Sequence, residues 1–416
     1  MNRYRANPRL LPPLLAGLAM LGPFSIDTFF PAFGHIERDL GVGAVAMQQT
    51  LSVYLGAFTV MALLHGPLSD SFGRRGVIFY ALLLYLFAAA GCVLAPDFHW
   101  LLAFRTMQGM TAGAGVVVGR AIIRDRFAGA DAQRLMSQVT LIFGLAPALA
   151  PMVGGWVLYL GGWRWIFGVL VLFTVLLLLT SLLALPETHP RSRRVPFDLP
   201  HLLHTYRAIA GDRRFMLLAA AASFNFNGLF LYIASAPVVV LQLLHLNEQQ
   251  FPWLFLPTIG GMTLGAGLSG RLAGRSSAAN TVRLGFRLIF TGAALGLLVN
   301  LLMAPAVPWF VLPIGLGGVG VSLAFPTLTL LMLDRFPAVR GAAASVQSAT
   351  AIASTTVVAG LLSPLASSSG LYLALGSAAL SFGGWCCWLL YHRLTPQPGP
   401  QVLPDRPAAD MPPGPA

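Results

Sequence analysis

Twelve runs of about twenty mostly apolar residues follow one another along the chain, and a run of that length is what a helix needs to cross the hydrocarbon core of a bilayer. They cover residues 10–33, 47–65, 77–95, 100–123, 135–159, 163–185, 215–241, 251–272, 282–303, 309–333, 342–365 and 371–391. Charge is scarce: Asp, Glu, Lys and Arg make up 10% of the 416 residues, against about 25% in a soluble domain. That balance excludes a soluble enzyme, and a hydrophobic content of 56% excludes a disordered chain. The first run is too long for a leader's apolar core, lacks a small-residue cleavage site and opens an unbroken series, so it reads as a span. The three cysteines, Cys92, Cys386 and Cys387, lie in apolar runs and form neither a disulfide framework nor a metal spacing. The expectation is an all-α membrane protein with twelve transmembrane helices and no cofactor.

An even number of spans puts both termini on one side. The chain has no lysine, and all 26 basic residues are arginine. With the termini inside, every arginine except Arg38, Arg105, Arg120 and Arg164 falls in a cytoplasmic segment. That asymmetry orients the chain with both termini cytoplasmic. It also accounts for the net charge of +12 without nucleic acid, because the arginines are spread over many segments rather than gathered on one face. The longest internal connection follows the sixth span, and the expected organisation is a six-helix bundle at 1–189, an inter-bundle loop at 190–213, a second six-helix bundle at 214–394 and a Pro-rich disordered cytoplasmic tail at 395–416. The halves echo each other: Gly66-Pro-Leu-Ser-Asp70-Ser-Phe-Gly73-Arg74-Arg75 follows span two, and Gly267-Leu-Ser-Gly270-Arg271-Leu-Ala-Gly274-Arg275 follows span eight. Internal repeats of this kind mark carriers whose binding site lies between the halves near mid-membrane.

These motifs, taken in order, resemble the major facilitator superfamily and, within it, the Bcr/CflA-type drug:proton antiporters. The loop at 66–75 resembles the superfamily's signature between helices two and three. Arg105-Thr-Met-Gln108-Gly109 resembles its helix-four signature. Gly144-Leu-Ala-Pro147-Ala-Leu-Ala-Pro151-Met-Val-Gly154-Gly155 resembles the helix-five antiporter signature, and Pro186-Glu187-Thr188 closes helix six as in the drug-efflux branch. The subgroup rests on Ile26-Asp27-Thr28-Phe29-Phe30-Pro31-Ala32 and on Gly119-Arg120-Ala-Ile-Ile-Arg124-Asp125. The resemblance implies two pseudo-symmetric bundles in a bacterial inner membrane. It also implies a functional monomer whose partners are a drug-like small molecule, protons and lipid, with no enzymatic activity.

The physical reading of these residues runs beside the resemblance. Gly73 allows a tight turn closed to other residues. Asp70 can approach a helix N-terminus, which the family suggests is that of helix eleven. Arg74 and Arg75 can reach Asp125, next to Arg124. The loop is then either a set of arginines that fix orientation or an inner latch that breaks when the carrier opens inward. On span five, Gly144, Pro147, Pro151 and Gly155 share one face. Span eight carries Gly260, Gly261, Gly265, Gly267 and Gly270, and span eleven is rich in small residues from 341 to 360. Small residues allow close helix approach in lipid. Close packing of helices five and eight, sealing the inner side, is therefore expected, with plain helix packing as the alternative.

Asp27 is the one acidic residue inside a span, and a charge there costs at least about 2.5 kcal/mol, which makes it a candidate functional group. Arg105 sits at matching depth on span four, so an Asp27–Arg105 pair is expected, serving either proton coupling or structure. Arg120, a turn or so from the inner end of that span, either lines the vestibule or snorkels to the interface. Candidate substrate contacts are Phe30, Tyr54, Gln108, Thr111 and Phe143 in the first half and Asn225, Asn227 and Phe230 in the second, because a drug pocket is apolar with a few polar groups. Some multidrug relatives carry a second acid two turns earlier on helix one; here Ala19 and Met20 stand there, which favours neutral or zwitterionic cargo. The expected function is proton-coupled export of chloramphenicol- or bicyclomycin-like compounds. The alternative is a carrier of the same fold, exporting or taking up an endogenous metabolite.

Overall fold

The computed structural model describes residues 10–127, 129–272 and 275–394, and the tail expected from 395 lies outside them. Among the described residues twelve helices of 17 to 33 residues dominate. They are α1 (Leu11–Asp27), α2 (Ala44–Phe72), α3 (Arg74–Leu94), α4 (Phe98–Arg126), α5 (Gly129–Gly161) and α6 (Trp163–Ala184). The second set is α7 (Arg213–Ala234), α8 (Pro252–Leu272), α9 (Ala278–Leu302), α10 (Leu312–Leu333), α11 (Arg340–Val357) and α12 (Gly370–Leu394). By length and composition, ten of these segments are able to cross a membrane. The two others are α5, part of which is not described, and α8, whose five glycines and Pro257 dilute its apolar character.

The first span is not one straight helix. Pro12 and Pro13 sit in the first turn of α1, where a missing N–H costs nothing. α1 ends at Asp27, because Pro31 has no N–H to offer the Asp27 carbonyl. A 3₁₀ turn (Phe30–Ala32) and a short helix (Phe33–Leu40) carry the chain on to Gly41, which adopts a left-handed φ of 65°. At the other side of the bundle α2 and α3 are separated by one residue, Gly73, with φ 95°.

α1 packs on α4, α5 and α6, α2 on α4, and α3 on α4 and α6. In the second set α7 packs on α10 and α12, α8 on α10, and α9 on α10 and α12. The two sets meet through α2 against α11 and α5 against α8. Lipid gives helices no hydrophobic reason to associate, so close backbone approach carries the packing. On α5, a Cβ at Gly154 would strike the Thr28 carbonyl of α1, and one at Gly155 would strike the backbone of Glu248, just before α8.

The segment between α6 and α7 contains an element not foreseen from sequence, a helix at Leu199–Gly211. The Asp198 carboxylate accepts from the His201 amide, and Pro200 occupies the first turn. Tyr206 and Ile209 are buried against the bundles, while Leu199 and Leu203 are exposed. The membrane face on which this helix lies is here named the linker end, and the opposite face the far end.

Candidate functional site

Asp27 is 4% exposed, and among the described residues no hydrogen bond or ion pair reaches its carboxylate. The expected pair with Arg105 is not formed. The Arg105 guanidinium, fully buried, donates instead to the Ser25 carbonyl (3.2 Å), the Ser25 hydroxyl (3.3 Å) and Gln108 Oε1 (2.9 Å). Its carbon lies 4.9 Å from the Phe29 ring centre and 4.6 Å from that of Tyr54. Helix geometry gives the reason: Ser25 and Phe29 are four apart and share a face, whereas Asp27, two residues on from Ser25, points about 200° away. Matching depth placed the two charges at one level but said nothing about direction around α1.

The neighbours of α1 show what Asp27 does face. Leu18, Gly22 and Ser25 turn to α4, Thr28 to α5, and Gly17 and Phe24 to Leu177 and Phe173 of α6. The remaining arc holds Ala16, Pro23 and Asp27, and just beyond the helix Phe30. Phe30 stacks on Phe255 of α8, ring centres 6.4 Å apart. By helix geometry the carboxylate shares this arc with Phe30. Nearby at the far end His35 approaches Glu248 at 3.4 Å across the same seam.

The substrate candidates do not form one cluster. Tyr54 is buried under Arg105, its hydroxyl donating to the Gly22 carbonyl at 3.3 Å. Gln108 also receives the Cys92 thiol at 3.9 Å, and Thr111 donates to the carbonyls of Met107 and Gln108 on its own helix. The Phe143 side chain lies outside the described residues. On α7, Asn227 donates to the Ser354 hydroxyl of α11 at 2.8 Å and accepts from Thr355 at 3.0 Å. Asn225 turns the other way, toward a cavity of about 30 Å³ within the second bundle bordered by Gly292, Gly317, Ser377 and Ser381. Phe230 stacks on Phe226 at 5.8 Å. Arg120 is exposed and edges a cavity of about 10 Å³ beside Leu15, Ala19 and Val139. Sequence reasoning missed Ser25, Phe29 and Phe255. Ser25 and Phe29 were detectable, as a polar and an aromatic residue one turn apart on the helix that carries the acid.

The loop after α2 forms a compact network. Arg74 pairs with Asp70 at 2.5 Å and with Asp125 at 3.2 Å, and it donates to the Ser69 hydroxyl, which in turn donates to the Gly66 carbonyl at 2.8 Å. Glu187 accepts the Arg74 amide at 3.1 Å and pairs with Arg194, and Thr188 donates to Asp125 at 3.0 Å. Arg75 donates to the Leu182 carbonyl rather than reaching Asp125, and Arg124 is exposed. The contacts of Asp70, Arg74 and Asp125 thus tie α2, α3, α4 and the segment after α6 to one another. A Cβ at Gly73 would collide with Glu187 and Arg194.

The helix-five pattern also divides. Pro151 is buried and Pro147 half-buried, and the Gly144 surroundings lie outside the described residues. Gly155 does face the second half, but at the far end, whereas the seal was expected on the side of the termini, the linker end. On α8 the facing glycines serve another partner: Gly261 and Gly265 abut Gly315 and Val319 of α10, while Gly260, Gly267 and Gly270 have open space beside them.

A family model described as Major Facilitator Superfamily matches residues 15–360. The chain belongs to the major facilitator superfamily. Relatives agree with the Bcr/CflA-type resemblance. A bicyclomycin resistance protein homolog of Haemophilus influenzae is 30% identical over 302 residues, covering 71% of this chain and 76% of that protein. Multidrug resistance protein D of Escherichia coli is 26% identical over 398 residues, 94% of this chain and 97% of its own length. An uncharacterized MFS-type transporter of Bacillus subtilis, YdgK, is 36% identical over 265 residues, 63% of this chain and 65% of that one. The crystal structure of the human organic anion transporter MFSD10 (TETRAN) superposes with a TM-score of 0.63 at 18% identity, covering 94% of this chain and all of the other. The fold is that of the superfamily, a family of multi-pass membrane transporters.

Proposed function

We propose that this superfamily member is a proton-coupled antiporter that exports small, largely apolar drugs across a bacterial inner membrane by alternating access. It works as a monomer with both termini in the cytoplasm, so that the linker end is the cytoplasmic end. The reading rests on one observation: the carboxylate of Asp27 is buried and, among the described residues, has no hydrogen bond or ion pair, on an arc of α1 that it shares with Phe30. The names of the relatives, which refer to multidrug, bicyclomycin and chloramphenicol resistance, support the same reading.

An ionised carboxylate in an apolar seam is costly, and the protonated acid is not. Asp27 takes a proton when the seam opens to the acidic side, and the neutral site closes. On the other side cargo entry and proton release exclude each other at the same group. Arg105 takes part indirectly: held by Ser25 and Gln108, it fixes α4 against α1 and supplies a constant positive charge rather than a partner that Asp27 releases. The lack of a second acid on α1 suits neutral or zwitterionic cargo. In everted vesicles, Asp27→Asn should abolish drug accumulation driven by a pH gradient while protein level and drug binding persist. Full gradient-driven transport by that variant would remove Asp27 from the mechanism.

A further inference from the structure

Pro67 lies inside α2, so the carbonyl four residues earlier, that of Leu63, has no N–H from its own helix to meet it. The group that meets it comes from outside the helix. Tyr206, on the linker helix Leu199–Gly211, donates its hydroxyl to the Leu63 carbonyl at 2.8 Å. The linker helix that carries this tyrosine also packs on α11. Tyr206 is 8% exposed and Ile209, one turn on, is 1% exposed, so this face of the linker helix is seated between the bundles rather than lying loose beneath them. Leu63 is nine residues from the end of α2, about 13 Å up the helix. The ring therefore enters the α2–α11 seam, where the bundles touch.

We propose that Tyr206 is a positioning residue that pins the linker end of the α2–α11 seam, completing the proline-broken ladder of α2 with its hydrogen bond while its own helix packs on α11. Separation of α2 from the linker helix and α11 breaks that bond and leaves the Leu63 carbonyl orphaned in an apolar seam. The pin makes opening at this end costlier and sets how often it occurs. The inference rests only on the alternating-access part of the proposed function.

The test is a distance measurement in lipid discs, without drug or gradient, between spin labels on cysteines placed at Phe72 and Gly341. Native cysteines are first replaced by alanine. Tyr206→Phe keeps the ring and its packing and should raise the ratio of long to short distances by about two- to twelve-fold, the worth of one net hydrogen bond. Pro67→Ala restores an N–H to the Leu63 carbonyl within α2. In that background Tyr206→Phe should change the ratio by less than about two-fold, because the cycle then has no orphan to report. An equal response in both backgrounds, or no response to Tyr206→Phe in a protein that still elutes as the folded monomer, would overturn the proposal. Because no substrate or proton enters this measurement, its failure leaves the drug-antiport reading untouched, and loss of drug transport leaves the pin standing.

Discussion

The separation of Asp27 from Arg105 has a measurable energetic signature. Two unit charges at 4 Å interact by about 4 kcal/mol at an effective dielectric of 20, before any charge-assisted hydrogen bond is counted. Here no Arg105 nitrogen approaches the Asp27 carboxylate within 4.0 Å. Groups one helix diameter apart stand on the order of 10 Å from each other. At that distance the same expression gives about 1.7 kcal/mol, and less once Asp27 binds a proton. A double-mutant cycle with Asp27→Asn and Arg105→Met separates the two cases. Unfolding in mixed micelles titrated with SDS, followed by tryptophan fluorescence, supplies the four free energies. The expected coupling is below about 1.7 kcal/mol. The single variants should also differ in kind. Asp27→Asn removes an unpaired buried charge and should leave stability unchanged or higher. The same change in a paired acid would cost about 3–5 kcal/mol by stranding its partner. A coupling of about 4 kcal/mol or more, or a strongly destabilised Asp27→Asn, would refute the geometry.

Two further outcomes are expected. Gly155→Leu drives a side chain into the backbone of Glu248, and overpacking of that kind costs about 1–3 kcal/mol in the state where the far end is closed, so efflux should fall about ten-fold. Gly260→Leu, which meets open space, should stay within about two-fold, and equal losses would argue against a role for the Gly155 contact. At the start of α7 burial pushes the Asp212 carboxyl up, but hydrogen bonds from Arg335 and the Phe215 amide outweigh it, and its pKa is lowered. A lowered carboxylate stabilises the fold fully above its ordinary value near about 4, and that contribution is lost as pH falls through the folded value. Asp212→Asn should therefore cost about 1.5–3 kcal/mol at neutral pH, and its unfolding curve should converge on that of the unsubstituted protein in acid. A gap that does not narrow would assign the loss to packing instead.

The fold was legible because bilayer thickness leaves little choice: apolar runs of the right length must be helices, since only helices satisfy their own backbone in lipid. What was not legible lies where polar and apolar residues mix. The helix at Leu199–Gly211 sits in an Arg-rich connection with no long apolar run, and its start depends on Asp198 and Pro200, two residues that equally suit a loop. The glycines of α8 were visible, but a glycine marks close approach without naming the partner. Gly261 and Gly265 face α10 in the same bundle because α8 lies against α10 along its length, and only packing decides that.

The candidate site divides along the same line. Identity and depth are one-dimensional properties, and the sequence carries them: Asp27 is the acid in a span, and Arg105 is at its level. Direction around the helix is a matter of 100° per residue, and its reference is fixed only when a neighbour is in place. Had Ser25 been used as that reference, Asp27 could not have been drawn toward α4, because residues two apart on a helix do not face the same partner. The same rule separates Asn225 from Asn227, one turned into the second bundle and the other toward α11. Among the described residues no ion pair balances Asp27, and Phe30, on the same arc by helix geometry, stacks on Phe255 of α8. Under the proposed function, a proton at Asp27 and the closure of the seam act on one surface, which is the coupling an antiporter needs and which a buried Asp27–Arg105 pair, internal to the first bundle, would not have provided.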